Sequence, residues 1–131
     1  MAQVEILKSR ILLVDDHELV RKGIASLLGS EWDICGEAAN GSDAVRQIRQ
    51  LKPDLVVLDV TMPGMGGAAT ARQIRSIAPT TKILFLSMHD SETVIQLGKL
   101  ARVDACLNKD CSPDMLKKVV RSLLSPGPLP A

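Results

Sequence analysis

The stretch Leu55–Gly67 reads LVVLDVTMPGMGG. Four apolar residues run straight into Asp59, and a proline and three glycines follow. A short apolar run bounded by turn residues reads as a buried strand. A carboxylate at the end of such a strand stands at the edge of a sheet, where it needs a charged or polar partner. The glycine-rich loop behind it suits a backbone that turns tightly, because glycine adopts positive φ without steric cost.

Working outward from this strand, the same unit recurs. Apolar runs appear at Ile11 to Val14, Asp33 to Ala38, Lys82 to Leu86 and Asp104 to Leu107. Segments with helical spacing lie between them. HELVRKGIASLL puts Leu19, Val20, Ile24, Leu27 and Leu28 on one expected face. GSDAVRQIRQL does the same with Ala44, Val45, Ile48 and Leu51, with Ser42 as expected N-cap. GAATARQIRSIA stops at Pro79. SETVIQLGKLA and SPDMLKKVVRSLL complete the series, with Ser91 and Ser112 as expected caps and Pro113 at the first helical position. Five strand–helix units imply an α/β fold, a doubly wound five-stranded parallel sheet with helices on both faces.

Composition agrees with one domain of this kind. The chain has 131 residues, 46% of them hydrophobic, and a net charge of +1. Near-neutrality gives no electrostatic footprint for nucleic acid or a membrane surface. No apolar run approaches the roughly 18 residues of a membrane span, and MAQVEILKSR does not read as a signal peptide. Cys35, Cys106 and Cys111 form no disulfide framework and point to a reducing cytoplasm. Cys106 and Cys111 read as small apolar fillers, since no second pair completes a zinc site. The tail SPGPLPA reads as a proline-rich linker or a cut end, so residues 1–125 form the expected domain and 126–131 the linker.

The polar residues then fall into a pattern. Asp15 and Asp16 follow the first strand, Asp59 ends the third, Ser87 ends the fourth and Lys109 lies just past the fifth. The second strand offers only EAANG, which puts it at the margin beside the first and gives the order 2-1-3-4-5. That order gathers the four functional ends in one crevice at the carboxyl edge. Singly, Asp15 or Asp16 would serve as a helix cap, Ser87 as a strand-end serine and Lys109 as a surface charge. Together, three carboxylates and one ammonium call for a divalent cation, and an all-oxygen site prefers a hard ion such as Mg2+. A carboxylate can act as a nucleophile and form an acyl phosphate, and a hydroxyl and an ammonium supply donors for phosphoryl oxygens.

The ordered motifs LLVDDHELVRKGI, PDLVVLDVTMPGMGG, ILFLS and CLNKD resemble the receiver domain of bacterial response regulators, with wording most similar to the LuxR/NarL group. The resemblance spans Arg10 to Leu124. It implies a flavodoxin-like fold with five helices. It also implies that Asp59 accepts phosphate from a sensor histidine kinase, and that Asp15, Asp16, Asp59 and the Thr61 carbonyl hold Mg2+, with Asp16 the direct ligand of the acidic pair. Ser87 and Lys109 bind the phosphoryl group. Such a domain is no dedicated enzyme, although it catalyses its own aspartyl phosphorylation and dephosphorylation. The implied output is transcription regulation through a DNA-binding domain not present in this chain. Homodimerisation on phosphorylation is a further implied partnership, with no nucleic-acid or membrane contact by the domain itself.

The pattern departs from the family in one segment. Cys106 stands where the family carries an aromatic, and Arg102 and Ala105 replace glycines. The aromatic relay is therefore absent, and the helix from Ser91 to Ala101, interrupted by Gly98, becomes the expected responding element. His89, two residues past Ser87, reads as an exposed loop imidazole, with contact to attacking water at the phosphoryl group as the alternative. A stand-alone or degenerate receiver that acts as a protein-docking module is the alternative function. A dinucleotide-binding oxidoreductase is disfavoured, because GMGGAA follows the third strand rather than the first. An aspartyl phosphatase of the haloacid dehalogenase kind lacks its second acid at Asp59-Val60-Thr61.

Overall fold

The computed structural model describes residues 8–60, 66–88 and 92–125. Five strands alternate with five helices: β1 (Arg10–Val14), α1 (Glu18–Leu28), β2 (Asp33–Ala38), α2 (Gly41–Leu51), β3 (Leu55–Asp59), α3 (Gly66–Ile77), β4 (Lys82–Ser87), α4 (Glu92–Leu100), β5 (Ala105–Asn108) and α5 (Pro113–Leu124). All pairings are parallel, in the order β2-β1-β3-β4-β5, as the sequence implies. Strands β3 and β4 run one residue further than their apolar runs, so Asp59 and Ser87 are themselves strand residues. Each is held by the pairing register as well as by its own loop.

The central strands are buried on both faces, which explains their continuous apolar runs. Leu12, Val14, Val56, Leu58, Ile83 and Phe85 face α2 and α3. Their alternates Ile11, Leu13, Leu55, Val57, Leu84 and Leu86 face α1 and α5. Each fully buried aliphatic side chain contributes about 1.5–3 kcal/mol relative to exposure. The edge strands β2 and β5 are only partly covered.

Several local expectations change. The inward stripe of α1 is rotated: Leu28 is buried and Ile24, Ala25 and Leu27 pack against the core, but Leu19 is 89% exposed and Val20 41%. Residues 19 and 20 lie in the first turn, at the rim of a groove of about 240 Å³ between α1 and α5. The cap of α2 is Asn40, whose Oδ1 accepts the Asp43 N–H at 2.8 Å, and not Ser42. Ser112 caps α5 by accepting the Met115 N–H, with Pro113 in the first turn. Ser91, His89 and the tail from Pro126 lie outside the described residues. Trp32 packs against the α1/α5 face with the Arg121 guanidinium 6.0 Å from its ring, far along the sheet from the acidic crevice.

Glycines in two places act by what they lack. A Cβ on Gly67 would come within 2.5 Å of the Val60 Cα and 2.7 Å of the Asp59 carbonyl, so α3 starts in direct contact with the end of β3. The loop glycines therefore serve close approach at Gly67 as well as positive φ at Gly66, which is +79°. In α4, Gly98 is more than an interruption. A Cβ there would meet the Cys106 Sγ at 2.9 Å and the Val103 Cγ2 at 3.0 Å. Cys106 is an exposed residue rather than a core filler, yet its sulfur sets how near α4 can lie to β5.

Arg102 has φ +59° at a position where the sequence resemblance expects glycine. That conformation costs a non-glycine residue about 1–2 kcal/mol. The turn is fixed from outside: Arg75 Nη2 donates to the Arg102 carbonyl at 2.8 Å and to Asp104 Oδ2 at 2.8 Å. Asp104 in turn accepts the Ile83 N–H at 2.8 Å.

Gly98→Ala sets a helix-propensity gain of about 1 kcal/mol against overpacking of about 1–3 kcal/mol. We expect net destabilisation in the native background and a smaller loss, or a gain, with Cys106→Ala. Urea denaturation of the four proteins measures the coupling; equal effects in both backgrounds would show that the sulfur is not the obstacle.

Candidate functional site

The carboxyl ends of β1, β3, β4 and β5 meet at one edge, because β1 and β3 are neighbours and β2 is displaced to the margin. Asp15 follows β1 and is 3% exposed; Asp59, the last residue of β3, is 1% exposed. Asp16 and His17 are on the open side of the cluster. One donor atom from each of Asp15, Asp16, His17 and Asp59 lies within 4.8 Å of the others.

Lys109 enters from beyond β5. Its Nζ lies 2.9 Å from Asp15 Oδ2 and 3.2 Å from Asp59 Oδ2, with the side chain only 7% exposed. Its backbone is fixed too, since the Lys109 N–H donates to the Ser87 carbonyl at 2.7 Å. Burial alone would push the ammonium's pKa down. The hydrogen bond to Asp15 and the charge of Asp59 outweigh it, so Lys109 is held above the ordinary lysine range and stays charged. Ser87 is 3% exposed and pairs in register with Asn108. The structure thus brings Asp15, Asp16, Asp59, Ser87 and Lys109 to one edge. Thr61 lies outside the described residues.

Asp15 is not a conventional helix cap. Its Oδ1 accepts the His17 N–H at 2.8 Å, and the cap residue of α1 is His17, whose side chain makes no capping bond. Three carboxylates against one contacting ammonium leave an excess of two negative charges. The oxygen-rich donor set matches a small hard divalent cation.

Three participants were not read from the sequence. His17 Nδ1 lies 3.1 Å from Asp16 Oδ1, and its position directly after Asp16 was the available signal. Arg21 and Glu37 form a second polar group behind the acidic turn. Arg21 falls on the same stripe as Ile24 and Leu28, where a charge needs a partner, and this could have been noticed.

Residues 11–121 match the family described as the response regulator receiver domain. The chain belongs to this family. A receiver domain takes part in two-component phosphorelay signalling and is not by family a dedicated enzyme. The chain is 36% identical over 117 residues to the uncharacterized transcriptional regulatory protein YxjL of Bacillus subtilis, covering 88% of this chain and 54% of that protein. A LuxR-family two-component response regulator from Aurantimonas superposes with TM-score 0.85 at 33% identity, covering 89% of this chain and 85% of the other. The signal receiver domain of the putative response regulator NarL from Mycobacterium tuberculosis gives 0.84 at 31%, covering 92% and 100%. The receiver spans about half the length of the curated relatives it matches. No helix among the described residues is long and apolar enough to cross a membrane.

Lys109→Met removes the ammonium between two buried carboxylates of the receiver. Breaking a buried pair in this way costs about 3–5 kcal/mol. Chemical denaturation should show that loss, and Asp15→Asn should cost less in the Lys109→Met background than alone. Strict additivity would mean that Lys109 does not link the acids.

Proposed function

We propose that this receiver domain accepts a phosphoryl group on Asp59 from a sensor histidine kinase, with Mg2+ as cofactor. The observation that carries the reading is the buried Lys109 ammonium between Asp15 and Asp59, with Asp16 in the same cluster. Asp15, Asp16, Asp59 and the Thr61 carbonyl would hold the ion. When bound, it neutralises charge on the carboxylates and on the incoming phosphoryl oxygens.

The chain's own groups do the rest. An Asp59 carboxylate oxygen attacks the phosphorus of the kinase's phosphohistidine. The new O–P bond forms as the P–N bond breaks, and the departing imidazole nitrogen keeps the electron pair and takes a proton. Lys109 donates to a phosphoryl oxygen and offsets its charge, and the Ser87 hydroxyl donates to another. Burial of Asp59 strengthens these interactions by excluding water. Hydrolysis of the acyl phosphate by water resets the domain, so phosphorylation and dephosphorylation are both self-catalysed.

On this reading residues 1–125 constitute the receiver and 126–131 a proline-rich linker or a cut end, in a cytoplasmic regulator whose output is transcription through a separate DNA-binding domain. The regulator names and greater lengths of the relatives support that output. Phosphorylation-dependent homodimerisation fits the same scheme. With no aromatic at position 106, the response runs from Ser87 through the following loop to α4.

Acetyl phosphate with Mg2+ should add one phosphoryl group to the intact protein, and Asp59→Asn should abolish the addition. Mass spectrometry reads this directly, and equal labelling of the variant would remove Asp59 from the role. Amide hydrogen exchange with and without a phosphoryl mimic at Asp59 should change most over residues 88–101. A maximum at Cys106 and Leu107 with α4 silent would overturn the proposed route.

A further inference from the structure

Behind the acidic turn, Glu37 is gripped at both oxygens. Arg21 Nε donates to Oε1 at 2.9 Å and Lys22 Nζ to Oε2 at 3.0 Å. Burial pushes the Glu37 carboxyl up in pKa, and the hydrogen bonds from Lys22 and Arg21 outweigh it and leave it below the ordinary range. The two cations then diverge. Lys22 is 58% exposed and reaches only outward from Glu37, whereas Arg21 is 13% exposed and its Nη1 donates to the Asp15 carbonyl at 2.6 Å. Arg21 also lines the small cavity shared by Asp15 and Asp59.

The Asp15 carbonyl belongs to the peptide whose nitrogen is that of Asp16. A guanidinium bonded to that oxygen sets the plane of the peptide, and so the direction in which the Asp16 side chain leaves the backbone. The other end of Asp15 is fixed as well, by its N–H donating to the Ala38 carbonyl at 3.0 Å. Glu37 supplies a firm anchor for the guanidinium, since its own carbonyl accepts Gln47 Nε2 at 2.7 Å and its strand pairs with β1.

We infer that Arg21 is a positioning residue: braced by Glu37, it orients the Asp15–Asp16 turn for cation binding. The inference rests on the Mg2+ reading of the site. It makes a prediction opposite in sign to that of simple electrostatics. Arg21 is a positive charge near an acidic cluster, so by Coulomb's law alone its removal would tighten cation binding. A positioning role requires that its removal weaken binding.

The test is Mg2+ titration, followed by NMR shifts, of the native chain and of Arg21→Met, Arg21→Lys and Lys22→Met. Lys22→Met removes an equal charge from the same Glu37 carboxylate without touching the acidic turn, and should leave affinity unchanged or slightly tighter. Arg21→Met should weaken it about tenfold, which is about 1.4 kcal/mol. Arg21→Lys keeps the charge, but its single ammonium cannot span both acceptors, so it should fall between. In the metal-free state the Asp15 carbonyl carbon and Asp16 amide should shift in Arg21→Met and not in Lys22→Met. Should Arg21→Met fail to fold, Arg21→Lys decides the matter through the same two measurements. Equal or tighter binding in a folded Arg21 variant overturns the inference. Absence of Mg2+ binding by the native chain would instead remove the metal reading on which it rests.

Discussion

Mutual repulsion of carboxylates at a sheet edge is the constraint around which this domain is arranged. Asp15 and Asp59 are almost fully buried, and like charges so placed repel strongly unless something of opposite sign joins them. Lys109 is that group, and its own burial makes it dependent on the acids in return. The parallel sheet makes the meeting possible. It delivers strand ends from distant parts of the chain to one edge and holds them in register, so that a residue after β5 can bridge residues at the ends of β1 and β3.

Much of this was legible in the sequence, for a physical reason. Strands buried on both faces appear as uninterrupted apolar runs, and polar residues at the ends of such runs can only belong to the sheet's edge. Leu55–Asp59 therefore announced both a central strand and a site residue. The missing functional residue on β2 announced its marginal position and with it the strand order. The exposed features were harder to read. Leu19 and Val20 look like core residues by type, but helical phase is set by packing against the sheet, and the stripe that packs runs through Arg21, Ile24 and Leu28. Asn40 takes the cap of α2 because it precedes Gly41, a choice that local propensity alone does not make between it and Ser42.

Arg21 was legible as a charge on the inward stripe of α1, but what it does with Glu37 was not, because that depends on a backbone oxygen. A motif records side chains, while the Asp15 carbonyl is a property of the chain's path. Gly67 and Gly98 share this character. Each is informative through the atom it lacks, and only the neighbouring Val60 backbone or Cys106 sulfur reveals why that atom must be missing.

Arg75 gives the far end of the molecule a different kind of order. One guanidinium donates to the carbonyls of Pro79, Thr81 and Arg102 and to the Asp104 carboxylate. It rivets the end of α3, the turn into β4 and the turn out of α4 into a single block. The C-terminal end of α4 is therefore tied, through the Arg102 carbonyl and the Asp104 carboxylate, to α3 and to the start of β4. The outer face of α4, on which Ile95 is half exposed, takes its bearing on the sheet from that cross-brace.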